Sequence, residues 1–310
     1  MEPIVSICCL TYNHAPYIRQ CLDGFVMQKV SFPIEILIHD DASTDGTQDI
    51  IREYEARYPD IIKPIYQKEN QYSKGIRVSL VYNYSRVKGK YIALCEGDDY
   101  WTDPYKLQKQ VDFLESHPDY VMCSHRFDRY WQEKGILEED PDKDFKGADY
   151  GVMDLMCGKW YVQTLTVMFR RTALDVSLYE SYNMALDLIL FFSLLKKGRG
   201  YCLCDVMAVY RIHAGGIWSE TSLNKQRKME FRAKTSIYNV EKSYDAAVYL
   251  LYMFTKTISR FWMMGEICLF LNIIKIFTQH FGLGFAIRLF ANKLCFNKRL
   301  KRDYVLSLMK

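Results

Sequence analysis

The chain has 310 residues, of which 49% are hydrophobic and 25% charged, with a formal net charge of +4. This composition excludes a disordered or collagen-like chain and fits one large domain, or one domain with a substantial extension. The charge is unevenly placed: from Arg288 to Lys310 seven basic residues face Asp303 alone, so an acidic partner, most simply an anionic membrane face, is expected there.

In chain order, Ile4 to Leu10 reads as a buried strand and Tyr17 to Met27 as a helix with Ile18, Leu22 and Phe25 on one face. Ile34 to Ile38 is a second strand, Thr47 to Tyr58 a second helix, and Ile61 to Tyr66 a short third strand. A helix is predicted near Val78 to Val87, then a strand over Tyr91 to Leu94. Strands alternating with helices predict an α/β fold with a mostly parallel sheet. Asp103-Pro104 reads as a helix start, since Asp can cap free N–H groups and Pro is tolerated at the first helical position.

Gln132 to Gly147 is charged and reads as an exposed loop. Thr164 to Phe169 and Val206 to Ile212 are strand-like, and Leu186 to Leu195 is an apolar helix. From about Asn224 the chain reads as helical, giving expected domains 1–223 and 224–310, the latter a basic helical extension. No stretch reaches the roughly 20 apolar residues of a membrane span, because Glu266 and Lys275 interrupt Phe261 to Ile287. Glu2 stands where a secretory leader would be basic, and the ten Cys form no secreted-type framework. The expected location is cytoplasmic, peripheral on the inner face of a membrane.

Three polar loops follow predicted strands: Thr11-Tyr12-Asn13-His14, His39 to Thr47, and Glu96-Gly97-Asp98-Asp99. In an open parallel sheet, loops at the carboxyl ends of strands form the ligand crevice. Asp40 or Asp41 can accept an N–H from a pyrimidine ring, whose face Tyr12 can cover. Ser43, Thr44 and Asp45 equally suit capping of the following helix. Asp98 and Asp99, with no basic residue beside them in sequence, suit a hard divalent cation, Mn²⁺ or Mg²⁺, that also meets phosphate oxygens. The alternative is that they are turn and cap residues ahead of Pro104.

Taken in order, Thr11-Tyr12-Asn13, Asp40 to Thr47, Gly89 to Leu94 and Glu96 to Trp101 resemble the family 2 glycosyltransferases of the GT-A fold, a Rossmann-like sheet flanked by helices. Tyr210-Arg211-Ile212-His213 with Gly215 to Ser219 resembles a subgroup of them. The resemblance spans about residues 4 to 220. It implies a nucleotide-sugar donor, often a UDP-sugar, and inversion at the anomeric carbon. Carried over by position, Thr11, Tyr12, Asn13, Asp41 and Asp98 bind the nucleotide, with Asp41 on the base and Asp98 near the ribose or metal. Asp99 holds the metal, and His213 contacts the metal or the diphosphate. Asp187 is the catalytic base that takes the acceptor proton; from the residues alone it is equally an acid favoured at a helix N-terminus.

Trp218 is either a lid over donor or acceptor or a packed aromatic. Lys74 and Arg77, in a Gly-containing loop, either touch donor or acceptor or, the favoured reading, are surface charge. The Gln-x-x-Arg-Trp signature of processive synthases is absent, so transfer of single sugars is expected, to a glycan or lipid-linked acceptor, with no nucleic-acid partner. Two other readings stay open at this point: a catalytically silent nucleotide-sugar binder or scaffold, and a nucleotidyltransferase. The Thr-Tyr-Asn-His loop weighs against the last, which would carry a Gly-rich basic phosphate loop there.

Overall fold

The computed structural model describes residues 2–156, 161–182, 187–216, 222–243, 246–247, 250 and 267–282. The chain packs as two compact units interleaved along the sequence. The first comprises Met1–Val152, Trp160–Val176 and Phe191–Gly216, and the second Met153–Lys159, Ser177–Leu190 and Ile217–Lys310.

The elements are β1 (Val5–Thr11), α1 (Ile18–Val26), β2 (Ile34–Asp40), α2 (Thr47–Arg57), β3 (Ile62–Tyr66), β4 (Tyr91–Leu94), β5 (Tyr100–Trp101) and α3 (Lys106–Ser116). They continue with β6 (Tyr120–Trp131), β7 (Ile136–Glu138), β8 (Ala148–Tyr150), α4 (Val152–Met156), β9 (Met168–Arg170), α5 (Val176–Ser181), α6 (Asp187–Leu195), β10 (Arg199–Ile212) and α7 (Leu223–Glu241). A further helix covers Ile267–Phe281.

Among the described residues, all the strands belong to one sheet of the first unit, in the order β3-β2-β1-β4-β9-β6-β10-β5, with β7 on β6 and β8 on β10. β3, β2, β1 and β4 run parallel, as do β6 and β10. β9, β5, β7 and β8 join antiparallel, so the sheet is mostly parallel with antiparallel insertions. The parallel strands are apolar because both faces are covered. Ile7, Ile36 and Ala93 lie in one core with Leu22 and Phe25 of α1, Ile51 of α2 and Leu107 of α3. Each large side chain so buried contributes about 1.5–3 kcal/mol before entropy is counted.

Five expectations need correction. Tyr120–Trp131 is a 12-residue strand that the sequence reading passed over. The segment 132–147 is largely exposed, yet it contains β7 and the buried Asp140, whose carboxylate pairs with Arg126 of β6. In place of a regular helix over 78–87 stand a wide π-type turn (Ser79–Asn83) and a tight 3₁₀ turn (Tyr84–Arg86). There the buried Asn83 side chain donates to Cys9 O at 3.0 Å, so the segment packs on β1 rather than coiling by itself. Thr164–Thr166 forms a 3₁₀ turn ahead of β9. Asp103 does not cap α3: its carboxylate accepts the Tyr105 N–H at 2.7 Å, and the Leu107 N–H at the helix start donates instead to Gln28 Oε1 at 3.1 Å.

In the second unit, the described residues are helical. Ser222 caps α7 by accepting the Lys225 N–H. Tyr182 donates to Glu241 at 2.8 Å, and Tyr238 bonds His280 at 2.6 Å. Among the described residues no helix is long and apolar enough to cross a membrane. The basic stretch 288–310 and Trp218 lie outside the described residues.

Candidate active site

β1, β2 and β4 are parallel and in register, with Thr11 opposite Asp40 and Cys8 opposite Leu94. Their following loops therefore open on one edge. The loops are laced together: the Asn13 N–H donates to Ser43 Oγ (2.8 Å), and Asn13 Oδ1 accepts the Thr44 N–H (2.9 Å). The His14 N–H donates to Thr47 Oγ1 and the Ala15 N–H to Asp45 Oδ2. Asn13 and Ala42 both hold positive φ, at 55° and 67°. For Ala42 that is an uncommon conformation with an energetic cost, maintained by the surrounding bonds.

Gly97 carries the acidic turn onto this lacework, its N–H donating to Leu10 O at 2.9 Å. The turn passes so close to β1 that a Cβ at Gly97 would stand 2.8 Å from Thr11 Oγ1 and 3.0 Å from His14 Nδ1. Both of those atoms are buried and have no hydrogen-bond partner within the protein.

The carboxylates along the edge are used differently. Asp41 accepts backbone N–H groups from Gln71 (2.7 Å) and Tyr72 (2.9 Å), one on each oxygen, and so pins the loop after β3. Asp40 Oδ1 accepts from the Ser43 N–H and Gln48 Nε2. Asp45 Oδ1 accepts from the backbone and hydroxyl of Thr47 at the start of α2. Tyr12, in the first loop, is 46% exposed. Lys74 pairs with Glu69, as a surface charge would.

Glu96, Asp98 and Asp99 bring carboxylate oxygens within 4.8 Å of one another. The sequence reading found no basic neighbour for them; the structure supplies three from distant segments, two of them around Asp98. Asp98 Oδ2 lies 3.1 Å from His213 Nε2 and 3.9 Å from His14 Nε2. The third is Arg211, whose backbone N–H donates to Asp99 Oδ1 at 2.8 Å and whose Nε donates to Asp98 O at 2.8 Å. This is how adjacent like charges tolerate the strand end.

Burial alone would raise the Asp98 pKa, but the His213 hydrogen bond and the two imidazoles more than offset it, and the group titrates below the usual range. Asp99 is pushed well up, first by burial and then by the Asp98 charge. The hydrogen bond to Asp98 raises His213, while burial lowers His14. Asp98 Oδ1 is buried and has no partner within the protein. Three carboxylates of hard oxygen donors and one such orphaned oxygen fit a divalent cation of the Mg²⁺ or Mn²⁺ type.

Of the other expected site residues, Asp187 is the exposed first residue of α6 and belongs to the second unit. Sequence reasoning gave no role to Glu96, His14 or Arg211. For Arg211 a signal existed: it stands two residues before His213 at the end of a strand, and such positions share one side of the chain.

A mostly parallel α/β sheet whose strand ends carry this acidic turn is the arrangement that the resemblance to GT-A glycosyltransferases implies. Residues 6–174 match the model of glycosyl transferase family 2, and the chain belongs to that family. It is 37% identical to Rv1520 of Mycobacterium tuberculosis, over 78% of this chain and 68% of that protein. It is 30% identical to the Escherichia coli UDP-Glc:alpha-D-GlcNAc-diphosphoundecaprenol beta-1,3-glucosyltransferase WfaP, over 73% of this chain and 82% of that one. Among solved structures it resembles S. aureus TarS 1-349, with TM-score 0.63 and 19% identity over 95% of this chain and 85% of that chain. The same TarS fragment has been solved with UDP-GlcNAc. At that identity the likeness speaks for the fold.

Proposed function

We propose that this family 2 glycosyltransferase moves one sugar from a UDP-sugar to a glycan or lipid-linked acceptor, with inversion and with a divalent cation, in surface polysaccharide synthesis. The observation that carries the reading is the acidic turn, held by His213 and Arg211 at the edge where three parallel strands end. WfaP, whose name gives UDP-Glc as donor and a diphosphoundecaprenol-linked sugar as acceptor, supports both the donor class and the acceptor class.

In this reading Thr11, Tyr12 and Asn13 flank the nucleotide, Tyr12 covers the base and Asp41 faces its N–H. Asp99 and Asp98, with Glu96 and His213 beside them, hold the cation. When bound, that cation neutralises charge on the departing nucleoside diphosphate. Glu96, Asp98 and Asp99 repel a diphosphate by themselves and would meet it only through the cation they hold. Asp187 takes the proton from the acceptor hydroxyl; the acceptor oxygen forms its bond to the anomeric carbon as the carbon–diphosphate bond breaks on the opposite side. The basic segment 288–310 of the extension 224–310 would hold the enzyme beside an anionic membrane.

The test is release of nucleotide from a panel of sugar nucleotides with Mn²⁺, comparing Asp99→Ala and Asp187→Asn. Asp187→Asn should bind UDP as the wild type does and lose about 10²–10⁴-fold in transfer. Full activity in both variants would defeat the assignment. Loss in Asp99→Ala alone would leave a metal-dependent donor site with the wrong base named.

A further inference from the structure

We propose that Arg211 is the positioning residue of the cation site: it sets the geometry of the Asp98-Asp99 turn without touching the cation or the substrate. The inference rests on the reading of this turn as a cation site and goes beyond it. Arg211 is 6% exposed, and each part of it is committed. Its backbone N–H fixes one Asp99 oxygen, and its Nε holds the Asp98 carbonyl, both at 2.8 Å. The two terminal nitrogens donate to Gln132 Oε1 and, at 2.6 Å, to Gln20 Oε1. The rings of Tyr17, Tyr100 and Tyr130 surround the guanidinium, with centroids 5.0, 5.1 and 5.5 Å from Cζ.

This arrangement ties four segments to one cation of the protein's own: α1 through Gln20, the acidic turn, the end of β6 through Gln132, and β10 itself. The backbone bond to Asp99 would survive a change of side chain, whereas the bond to the Asp98 carbonyl would not. The side chain therefore governs the turn at Asp98, the residue with the orphaned oxygen. A planar fork that is always charged suits this task, since it donates in several fixed directions at once and stacks on rings. Lysine carries the charge but not the fork. His213, two residues on, grips the Asp98 carboxylate from the same strand end. One strand thus orients both the main chain and the side chain of the same aspartate. Partners that orient metal ligands in this way are worth about 10–100-fold in metal affinity.

The experiment measures Mn²⁺ affinity by electron paramagnetic resonance of free Mn²⁺, without donor, alongside thermal unfolding of each protein. Arg211→Lys is expected to weaken Mn²⁺ binding about 10-fold or more while remaining folded. The double variant Gln20→Ala/Gln132→Ala, which leaves the arginine in place but frees its fork, is expected to weaken binding by less. In Arg211→Ala, millimolar guanidinium is expected to restore affinity by filling the tyrosine-lined space, a rescue that loss of stability alone would not show. Wild-type affinity in both Arg211→Lys and the double glutamine variant overturns the proposal. So does a loss of affinity that only follows a loss of thermal stability and resists guanidinium. Absence of Mn²⁺ binding in the wild type overturns the cation-site reading and this proposal together, an outcome distinguished by the wild-type titration alone.

Discussion

Asp41 and Asp98 stand at corresponding places on the same sheet edge, each just past a buried parallel strand, yet they are satisfied in opposite ways. Asp41 has a backbone N–H on each oxygen and pins a neighbouring loop. Asp98 has an imidazole on one oxygen and nothing from the protein on the other, although that oxygen is buried. Burying a polar atom without a partner costs about 1–3 kcal/mol. In the proposed reading the orphaned oxygen beside two further carboxylates receives a cation, whereas Asp41, with one N–H on each oxygen, holds a loop in place and keeps further lone pairs for the base.

The largest expected effect breaks the comparison on its Asp98 side. Asp98→Asn should lower turnover and Mn²⁺ affinity by about 100-fold, while Asp41→Asn leaves Mn²⁺ affinity near the wild-type value. Parallel titrations of the two variants check this, and equal losses would erase the distinction. Next, Asp41→Ala leaves two backbone N–H groups without their acceptor. It should cost about 1–3 kcal/mol in chemical denaturation and raise KM for the donor more than it lowers kcat. Gly97→Ala pushes a methyl group against Thr11 and His14, which belong to the lacework both aspartates share. It should cost a similar 1–3 kcal/mol, read by urea midpoint, with both donor and cation binding impaired.

A further effect comes from the core around Trp101. Lys106 is fully buried, with Nζ 4.0 Å from the Trp101 ring centroid and 2.7 Å from Gln110 Oε1. Burial lowers its pKa to about 7. Between that value and the ordinary lysine range the unfolded chain binds more protons than the folded one, so stability rises with pH across that window and is flat below it. Lys106→Met should flatten the rise, as followed by thermal unfolding from pH 6 to pH 10. Smallest is the effect of removing residues 288–310, which should weaken binding to anionic liposomes and leave nucleotide release from soluble acceptor assays unchanged. Equal liposome binding by the two proteins would remove the membrane role.

Much of the parallel half was legible because its signals are local. Runs such as Ile34 to Ile38 and the spacing of Ile18, Leu22 and Phe25 announce a buried strand and a one-sided helix, and short alternation of the two dictates a parallel sheet. Once β1, β2 and β4 are parallel, their three polar loops must share an edge. The positions of Asp98 and Asp99 were visible for the same reason, while His213 was reached through the family resemblance. The partners of Arg211 were not visible, since Gln20 is 191 residues away in sequence and only the folded chain joins them. β6 escaped notice because its second half, Arg126 to Trp131, is half-buried and mixes aromatic with charged residues, so neither alternation nor an apolar run announces it. Asp140 looked like one more charge in an acidic loop until the fold buried it against Arg126.

The most direct measurement is anomalous scattering from manganese in crystals of the full chain grown with UDP and Mn²⁺. The account predicts a manganese peak among the Glu96, Asp98 and Asp99 carboxylates, bridging to the ordered diphosphate. Ordered UDP with no manganese peak at those three carboxylates would contradict it.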